Sequence, residues 1–131
     1  MCSVRIADKF DENADFVLSF GSGLIEGWGS PVHMMAANSK WKQRGRKVIQ
    51  IEPRLSNTAA KASKWIPINP GTEAALALGL AHVIIKESLF SKDFVNRYAF
   101  GFYDWTDDRG TSHKGFQRLV LEAYSPAKVA K

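Results

Sequence analysis

The sequence predicts an α/β fold, a Rossmann-like three-layer domain with a short, mostly parallel sheet flanked by helices. Short apolar runs that stop at glycine or proline alternate with segments of helical character, in the order strand, helix, strand, turn, strand, helix. The chain has 131 residues, the length of one domain. It is 45% hydrophobic, which is enough for a core.

The first half of the chain supplies two strands and the helix between them. Residues 16–20 are an apolar run that ends at Gly21, as expected for a buried parallel strand. A helix is expected from residue 31 to near residue 45, because Ser30 is a suitable N-cap and proline fits the first helical position. A second strand covers residues 47–52 and is stopped by the proline that follows.

The second half is expected to be mainly helical. Residues 57–63 read as one or two helical turns, and residues 65–68 as a third extended segment. Thr72 is expected to cap a long helix that ends near residue 86. Two further helices are expected over residues 91–100 and 113–124.

Charge and cysteine content restrict the function. The net charge of +5 permits an anionic partner without requiring one. The single cysteine, Cys2, excludes an internal disulfide and a thiolate metal site or iron–sulfur cluster within this chain. His33, His82 and His113 lack ligand spacing, so no metal site is expected. No run approaches the roughly 20 apolar residues of a spanning helix, so no direct membrane contact is expected.

The loop after the first strand contains Gly21, Ser22, Gly23 and Glu26. Parallel sheets bind ligands just beyond the carboxyl ends of their strands, so the loops after each strand are the candidate site. Glycines let the backbone turn tightly and approach a phosphate. The third glycine of the dinucleotide fingerprint falls on Glu26, and the alternative is a plain flexible connection.

Two charged residues, Glu52 and Arg54, follow the second strand. A carboxylate at this position can accept two hydrogen bonds from a ribose diol. The guanidinium of Arg54 suits a phosphate or a base edge. The alternative is a surface ion pair between these two side chains.

The third loop is Pro70-Gly71-Thr72-Glu73. Pro70 and Gly71 force a turn and Thr72 can cap the helix. Glu73, in the first helical turn, is stabilised by the helix dipole by roughly 0.3–1 kcal/mol, which is a sufficient structural reason for it. Its carboxylate can also accept two hydrogen bonds from the N1–H and amino group of a guanine, which would discriminate against adenine.

A basic run surrounds Trp41 and allows two interpretations. Its position at the end of a helix favours a solvated helix C-terminus. Nucleic-acid contact by this run, which has Trp41 among its cations, is the alternative. The cations are Lys40, Lys42, Arg44, Arg46 and Lys47.

Taken together, these segments resemble the catalytic subunits of molybdopterin oxidoreductases, the dimethyl sulfoxide reductase family. The similarity covers about residues 14–130 and is carried by DFVLSFGSGLIEGW, by VIQIEPRLSNTAAKASKWIPINPGTEAALALGLAHVII and by GFQRLVLEAYSPAKVA. The order EPR, TA, WIPI and PGTE in the middle segment is its most specific part.

The resemblance implies a molybdenum (or tungsten) centre held by two pterin guanine dinucleotides, one of them bound by a Rossmann-like domain. Gly21, Ser22, Gly23 and Glu26 would form the first cofactor loop. Glu52 and Arg54 would lie by the guanosine, and the third loop would read the guanine through Pro70, Gly71, Thr72 and Glu73. The family usually has Asn at the position of Gly23 and Asp at that of Glu73.

The expected organisation is one cofactor-binding domain over residues 1–131, a fragment of a larger catalytic subunit. It would comprise a tail over 1–13, a nucleotide-binding core over 14–86 and a helical extension over 87–131. The parent implied is a respiratory molybdoenzyme, periplasmic or otherwise extracytoplasmic, acting on a small oxyanion or sulfur compound.

The implied partners are the remainder of the catalytic subunit, an iron–sulfur subunit and a quinone-linked membrane subunit. An iron–sulfur cluster is possible in the parent but not in this fragment. The fragment alone is not expected to turn over, and no nucleic-acid partner is expected. The alternatives are a free-standing nicotinamide-dinucleotide-binding module and a basic nucleic-acid-binding module.

Overall fold

A computed structural model describes residues 15–27 and 29–130 of the chain. They belong to two compact units, Met1–Gly71 and Thr72–Lys131. The tail expected over residues 1–13 lies outside the described residues. Within the described ranges, no helix has both the length and the apolar character needed to cross a membrane.

The first unit is built on a parallel sheet of three strands in the order β1-β2-β3. The strands are β1 (Phe16–Phe20), β2 (Lys47–Ile51) and β3 (Lys64–Ile66). Helix α1 (Pro31–Gln43) connects β1 to β2, and α2 (Asn57–Lys61) connects β2 to β3. The expected α/β class, with a short parallel sheet flanked by helices, is confirmed.

Both helices of this unit begin at serine caps, of which only Ser30 was expected from the sequence. The hydroxyl of Ser30 accepts a hydrogen bond from the N–H of His33 at 3.4 Å, with proline at the first position of α1. The hydroxyl of Ser56 accepts from the N–H of Ala59 at 3.1 Å and caps α2. These caps satisfy N–H groups that have no partner inside the helix.

The core of the first unit lies between α1 and the sheet. Trp41 is only 1% exposed, and its burial removes a large apolar surface from water. Two partly buried side chains, Val17 and Ala62, pack against this cluster. The buried members are Leu24, Met34, Ala37, Trp41 and Val48.

The second unit consists of four helices and a two-stranded antiparallel ribbon. Its helices are α3 (Glu73–Lys86), α4 (Lys92–Tyr98), α5 (Phe116–Ala123) and α6 (Pro126–Val129), and the ribbon pairs β4 (Trp105–Thr106) with β5 (Ser112–His113). Helix α3 packs against α5 and α6. A ring nitrogen of His82 in α3 lies 3.2 Å from the carbonyl oxygen of Val120 in α5.

The boundary between the two units falls after Gly71, because α3 makes its contacts with helices of the C-terminal half. The expected nucleotide-binding core over 14–86 and helical extension over 87–131 stay predictions. Residues 87–131 are not purely helical, since they include the ribbon. Its strands have two residues each, which is too short to produce an alternating hydrophobic pattern.

Candidate functional site

The first loop leaves β1 through Gly21, which adopts a positive φ of 56°. Its N–H donates to the carbonyl oxygen of Ile51 at 2.8 Å, so the start of the loop is tied to the end of β2. A Cβ added at Gly21 would meet no atom within 4 Å. Glycine is therefore needed here for its backbone conformation and leaves open space beside the loop.

The rest of the first loop forms a tight turn with several unused N–H groups. The N–H of Gly27 donates to the carbonyl of Gly23 at 2.7 Å. Within the described part of the chain, the N–H groups of Ser22, Gly23 and Glu26 donate no hydrogen bond. Neighbouring N–H groups of this kind suit an anionic ligand.

Glu26 folds back over the same turn. Its Cγ would lie 3.4 Å from a Cβ added at Gly23, which is ordinary contact at its closer limit. The side chain is half-buried and makes no hydrogen bond or ion pair with the described residues.

Glu52, in the second loop, is buried with 6% exposure, and its carboxylate is bonded within the chain. Oε1 accepts from both the N–H of Ser56, at 3.3 Å, and the hydroxyl of Ser56, and Oε2 accepts from Nε2 of Gln50 at 3.1 Å. These donors offset the cost of burying the carboxylate. Oε2 has one donor and so keeps a lone pair for a further one.

Arg54 is exposed, and it forms no ion pair with Glu52. The surface ion pair considered as the alternative for this loop is therefore not formed. The guanidinium of Arg54 makes no hydrogen bond or ion pair with the described residues, and its backbone carbonyl accepts the N–H of Ser56 at 3.0 Å. Its guanidinium is exposed to solvent, and along the chain only Pro53 separates Arg54 from the buried Glu52.

The end of β3 lies beside Glu52. The N–H of Glu52 donates to the carbonyl of Ile66 at 3.3 Å, and the indole N–H of Trp65 donates to the carbonyl of Glu52 at 3.0 Å. Pro70 and Gly71 then form the expected turn, in which Gly71 has a φ of 85° and is exposed. The first unit thus contains the first two loops and these two residues of the third.

Thr72 and Glu73 belong to the second unit, where they begin α3. Thr72 occupies the N-cap position, but its side chain makes no capping hydrogen bond, so the expectation of a hydroxyl cap is wrong. Its backbone carbonyl still accepts the N–H of Leu76 at 3.1 Å. Glu73 is half-buried, and its carboxylate makes no hydrogen bond or ion pair with the described residues.

A family model for molybdopterin oxidoreductases matches residues 7–122. The chain belongs to the molybdopterin oxidoreductase family. It is 41% identical over 92 residues to the arsenate respiratory reductase molybdopterin-containing subunit ArrA of Shewanella sp., an alignment that covers 69% of this chain and 10% of that protein. The dimethyl sulfoxide reductase DmsA of Escherichia coli is 34% identical over 123 residues, covering 92% of this chain and 15% of that protein.

The fold likeness extends to a solved structure. Acetylene hydratase from Pelobacter acetylenicus has a TM-score of 0.70 and 31% identity, over 92% of this chain and 15% of that chain. This member of the molybdopterin oxidoreductase family therefore spans between 10% and 15% of the length of the proteins named here. Family membership implies an enzyme parent with a molybdenum–molybdopterin cofactor.

The donor and acceptor set fits one end of such a cofactor. Unused N–H groups of the first loop suit phosphate groups. The open space beside Gly21, which a Cβ would enter without contact, leaves room for them. Oε2 of Glu52 and the free guanidinium of Arg54 add an acceptor and a cation at the neighbouring strand end.

Three polar residues that hold these loops were not singled out from the sequence. Gln50 donates to the carbonyl of Ser22 at 3.0 Å as well as to Glu52, and Thr58 accepts the N–H of Ile25 at 3.1 Å. Ser56 both caps α2 and donates to Glu52. Gln50 interrupts an otherwise apolar strand, and that interruption was the available signal.

The other candidate sites lose support. Trp41 is buried and so cannot stack on a base, which removes the aromatic component of the nucleic-acid interpretation. His82 is bonded to a carbonyl, and His113 stacks on Trp105 with ring centroids 4.4 Å apart. No group of three metal-ligating side chains occurs in the part of the chain that the structure describes.

Proposed function

We propose that this chain binds the guanosine end of a molybdopterin guanine dinucleotide within a molybdenum-dependent oxidoreductase. The observation that carries the proposal is the row of unused N–H groups at Ser22, Gly23 and Glu26, beside a buried carboxylate at the next strand end. When bound, the cofactor supplies two-electron redox chemistry at the metal. The chain supplies binding and orientation.

The first loop would meet the phosphates of the dinucleotide. Backbone N–H groups carry partial positive charge and need no side-chain ordering to meet an anion. The side chain of Glu26 lies over the turn at Gly23 and makes no bond with the described residues, so its carboxylate would have to turn away when the phosphates bind. The fingerprint of nicotinamide-dinucleotide sites has a glycine at the position of Glu26, so this loop departs from that fingerprint.

Glu52 and Arg54 would hold the nucleoside. Oε2 of Glu52 keeps a lone pair that a ribose hydroxyl can donate to, and the fixed position of the carboxylate lowers the entropy cost of that bond. Arg54 is exposed and can turn toward a phosphate or a base edge.

Glu73 would recognise the base. Its carboxylate makes no bond with the described residues and is therefore available to the N1–H and amino group of a guanine. Pro70, Gly71 and Thr72 would set the backbone that leads to it. Glutamate is one methylene longer than the aspartate that is usual in the family, so the backbone would lie correspondingly further from the base.

The parent enzyme would be a respiratory oxidoreductase that acts on a small oxyanion or sulfur compound. Support comes from relatives named for arsenate and dimethyl sulfoxide. A second guanine dinucleotide would complete the cofactor. The proposed partners are the rest of the catalytic subunit, an iron–sulfur subunit and a quinone-linked membrane subunit, in an extracytoplasmic location.

Nucleotide titration of the isolated chain tests the proposal. We expect weak binding of GDP with a preference over ADP of at least roughly tenfold, since tenfold is about 1.4 kcal/mol and each hydrogen bond to a charged group contributes about 1.5–3 kcal/mol. Glu73→Ala should abolish the preference. Glu87→Ala, at the exposed other end of α3, is the matched control and should retain it.

Two outcomes would contradict the proposal. Equal affinity of the wild-type chain for GDP and ADP would remove the case for guanine recognition. A clear rise in Tm with NAD and none with GDP would favour the free-standing nicotinamide-binding module instead.

A further inference from the structure

Gln50 is a buried amide that joins the first two loops of the candidate site. It has 0% exposure and lies on β2, the central strand of the sheet. Its Nε2 donates to the carbonyl of Ser22 at 3.0 Å and to Oε2 of Glu52 at 3.1 Å. Both partners are acceptors, so the amide nitrogen must face them and both of its hydrogens are used.

The other end of the same amide is not satisfied. Oε1 of Gln50 is buried and has no hydrogen-bond partner among the described residues. A buried acceptor without a donor destabilises a fold, and an apolar side chain of similar size would avoid that cost. The value of glutamine at this position therefore lies in its two donated hydrogen bonds.

Thr58 holds the first loop at a second point. It is fully buried at the start of α2, and its hydroxyl oxygen accepts the N–H of Ile25 at 3.1 Å. Ile25 is also fully buried. The loop is thus fixed at the carbonyl of Ser22 and at the amide of Ile25, on either side of Gly23 and Leu24.

Resting on the proposed function, we infer that Gln50 and Thr58 are positioning residues for the dinucleotide. They hold the first loop so that the N–H groups of Ser22 and Gly23 stay open to a diphosphate. Gln50 also fixes the carboxylate of Glu52, so one side chain orients the groups that meet the phosphates and the group that meets the ribose. Neither positioning residue contacts the ligand itself.

Binding of GDP to conservative variants tests the inference. Gln50→Leu removes both donors at similar volume, and Thr58→Val removes the acceptor while keeping the shape. We expect each to weaken GDP binding in calorimetry by about tenfold, the equivalent of one lost hydrogen bond. Gln43→Leu, an exposed glutamine at the end of α1, is the matched control and should bind like the wild type.

Amide hydrogen exchange without ligand separates positioning from general loss of stability. In Thr58→Val we expect faster exchange at Ile25, with the amides of β1 and β2 unchanged. Acceleration spread evenly over both strands would mean that the residue only stabilises the fold, and would overturn the inference. Unchanged GDP affinity in both variants would overturn it as well.

Thr58→Val introduces no buried charge and keeps its shape, so it keeps the proposal testable if a Gln50 variant fails to fold. Failure of the wild-type chain to bind GDP would instead refute the proposed function. Exchange at Ile25 and chemical shifts at Ser22 would then decide alone whether Gln50 and Thr58 position the loop.

Discussion

Gly115 lies against the backbone of Tyr103 in the second unit. A Cβ at this position would be 2.5 Å from the carbonyl oxygen of Tyr103 and 2.7 Å from the N–H nitrogen of Asp104. Backbone atoms cannot move aside as a flexible side chain can. The N–H of Gly115 also donates to Oδ1 of Asp104 at 2.8 Å, so this close approach fixes the start of α5.

Gly115→Ala should therefore destabilise the chain by about 3 kcal/mol, the upper end of the usual cost of overpacking. Urea denaturation measures the free energy of unfolding. Gly27→Ala is the control, because a Cβ at Gly27 meets nothing closer than the carbonyl oxygen of Gly23 at 3.5 Å. If both variants lost the same free energy of unfolding, the backbone at Tyr103 would be able to shift and accommodate the Cβ at little cost.

At the scale of elements, exposed ion pairs tie α5 to the segment before it. Arg118 bonds to Oδ2 of Asp104 at 3.0 Å and to Oε1 of Glu122 at 2.9 Å, and Lys114 bonds to Oε2 of Glu122 at 2.8 Å. Two hydrogen bonds lower the pKa of Asp104: the larger effect comes from the N–H of Gly115 and the next from Arg118. The pKa of Glu122 is lowered most by the hydrogen bond from Lys114 and next by the one from Arg118.

These shifts predict a loss of stability in acid. A carboxyl group whose pKa is lower in the folded state stabilises the fold fully above its unfolded pKa, near 3.8 for Asp104 and 4.5 for Glu122. That contribution is lost as the pH falls through the lower, folded-state pKa. The Tm should therefore fall between about pH 5 and pH 3.

Asp104→Asn isolates one part of this acid effect. Asparagine keeps an acceptor for the N–H of Gly115 but cannot titrate, so its Tm should fall less with pH than that of the wild type. Thermal melts at pH 6 and pH 3 measure the difference. An identical fall in both proteins would assign the acid sensitivity to other groups.

At the scale of the whole molecule, much of the positive charge lies far from the candidate site. The net charge is +5, and much of the basic run lies where α1 ends and β2 begins. The candidate loops lie at the opposite, carboxyl end of the strands. A five-residue strand separates the two ends by about 15 Å, which exceeds the Debye length of about 8 Å at physiological salt.

Neutralising Lys42 and Arg44 together should therefore leave GDP affinity within about twofold of the wild type, because screened charges contribute little at this distance. Calorimetry at two salt concentrations measures it. If the chain instead binds single-stranded nucleic acid with affinity that falls steeply with salt, and the double variant loses that binding, the basic nucleic-acid-binding module becomes the better interpretation.

The sequence alone determined the α/β class, the bounds of β1, the serine cap of α1 and the positions of the loops after the strands. These features depend on neighbours along the chain: an apolar run, a cap before a proline, a glycine where φ is positive. It also indicated Glu52 as a polar group at a strand end. The ligand-binding roles that the sequence suggested for Glu52, Arg54 and Glu73 stay predictions.

Only the tertiary structure decided which distant residues meet. Gln50 reaches Ser22, and Thr58 reaches Ile25, across 28 and 33 residues of chain. The division after Gly71 depends in the same way on the packing of α3 against α5 and α6. No local pattern encodes such contacts, because hydrogen bonds and packing between elements depend on the path of the whole backbone.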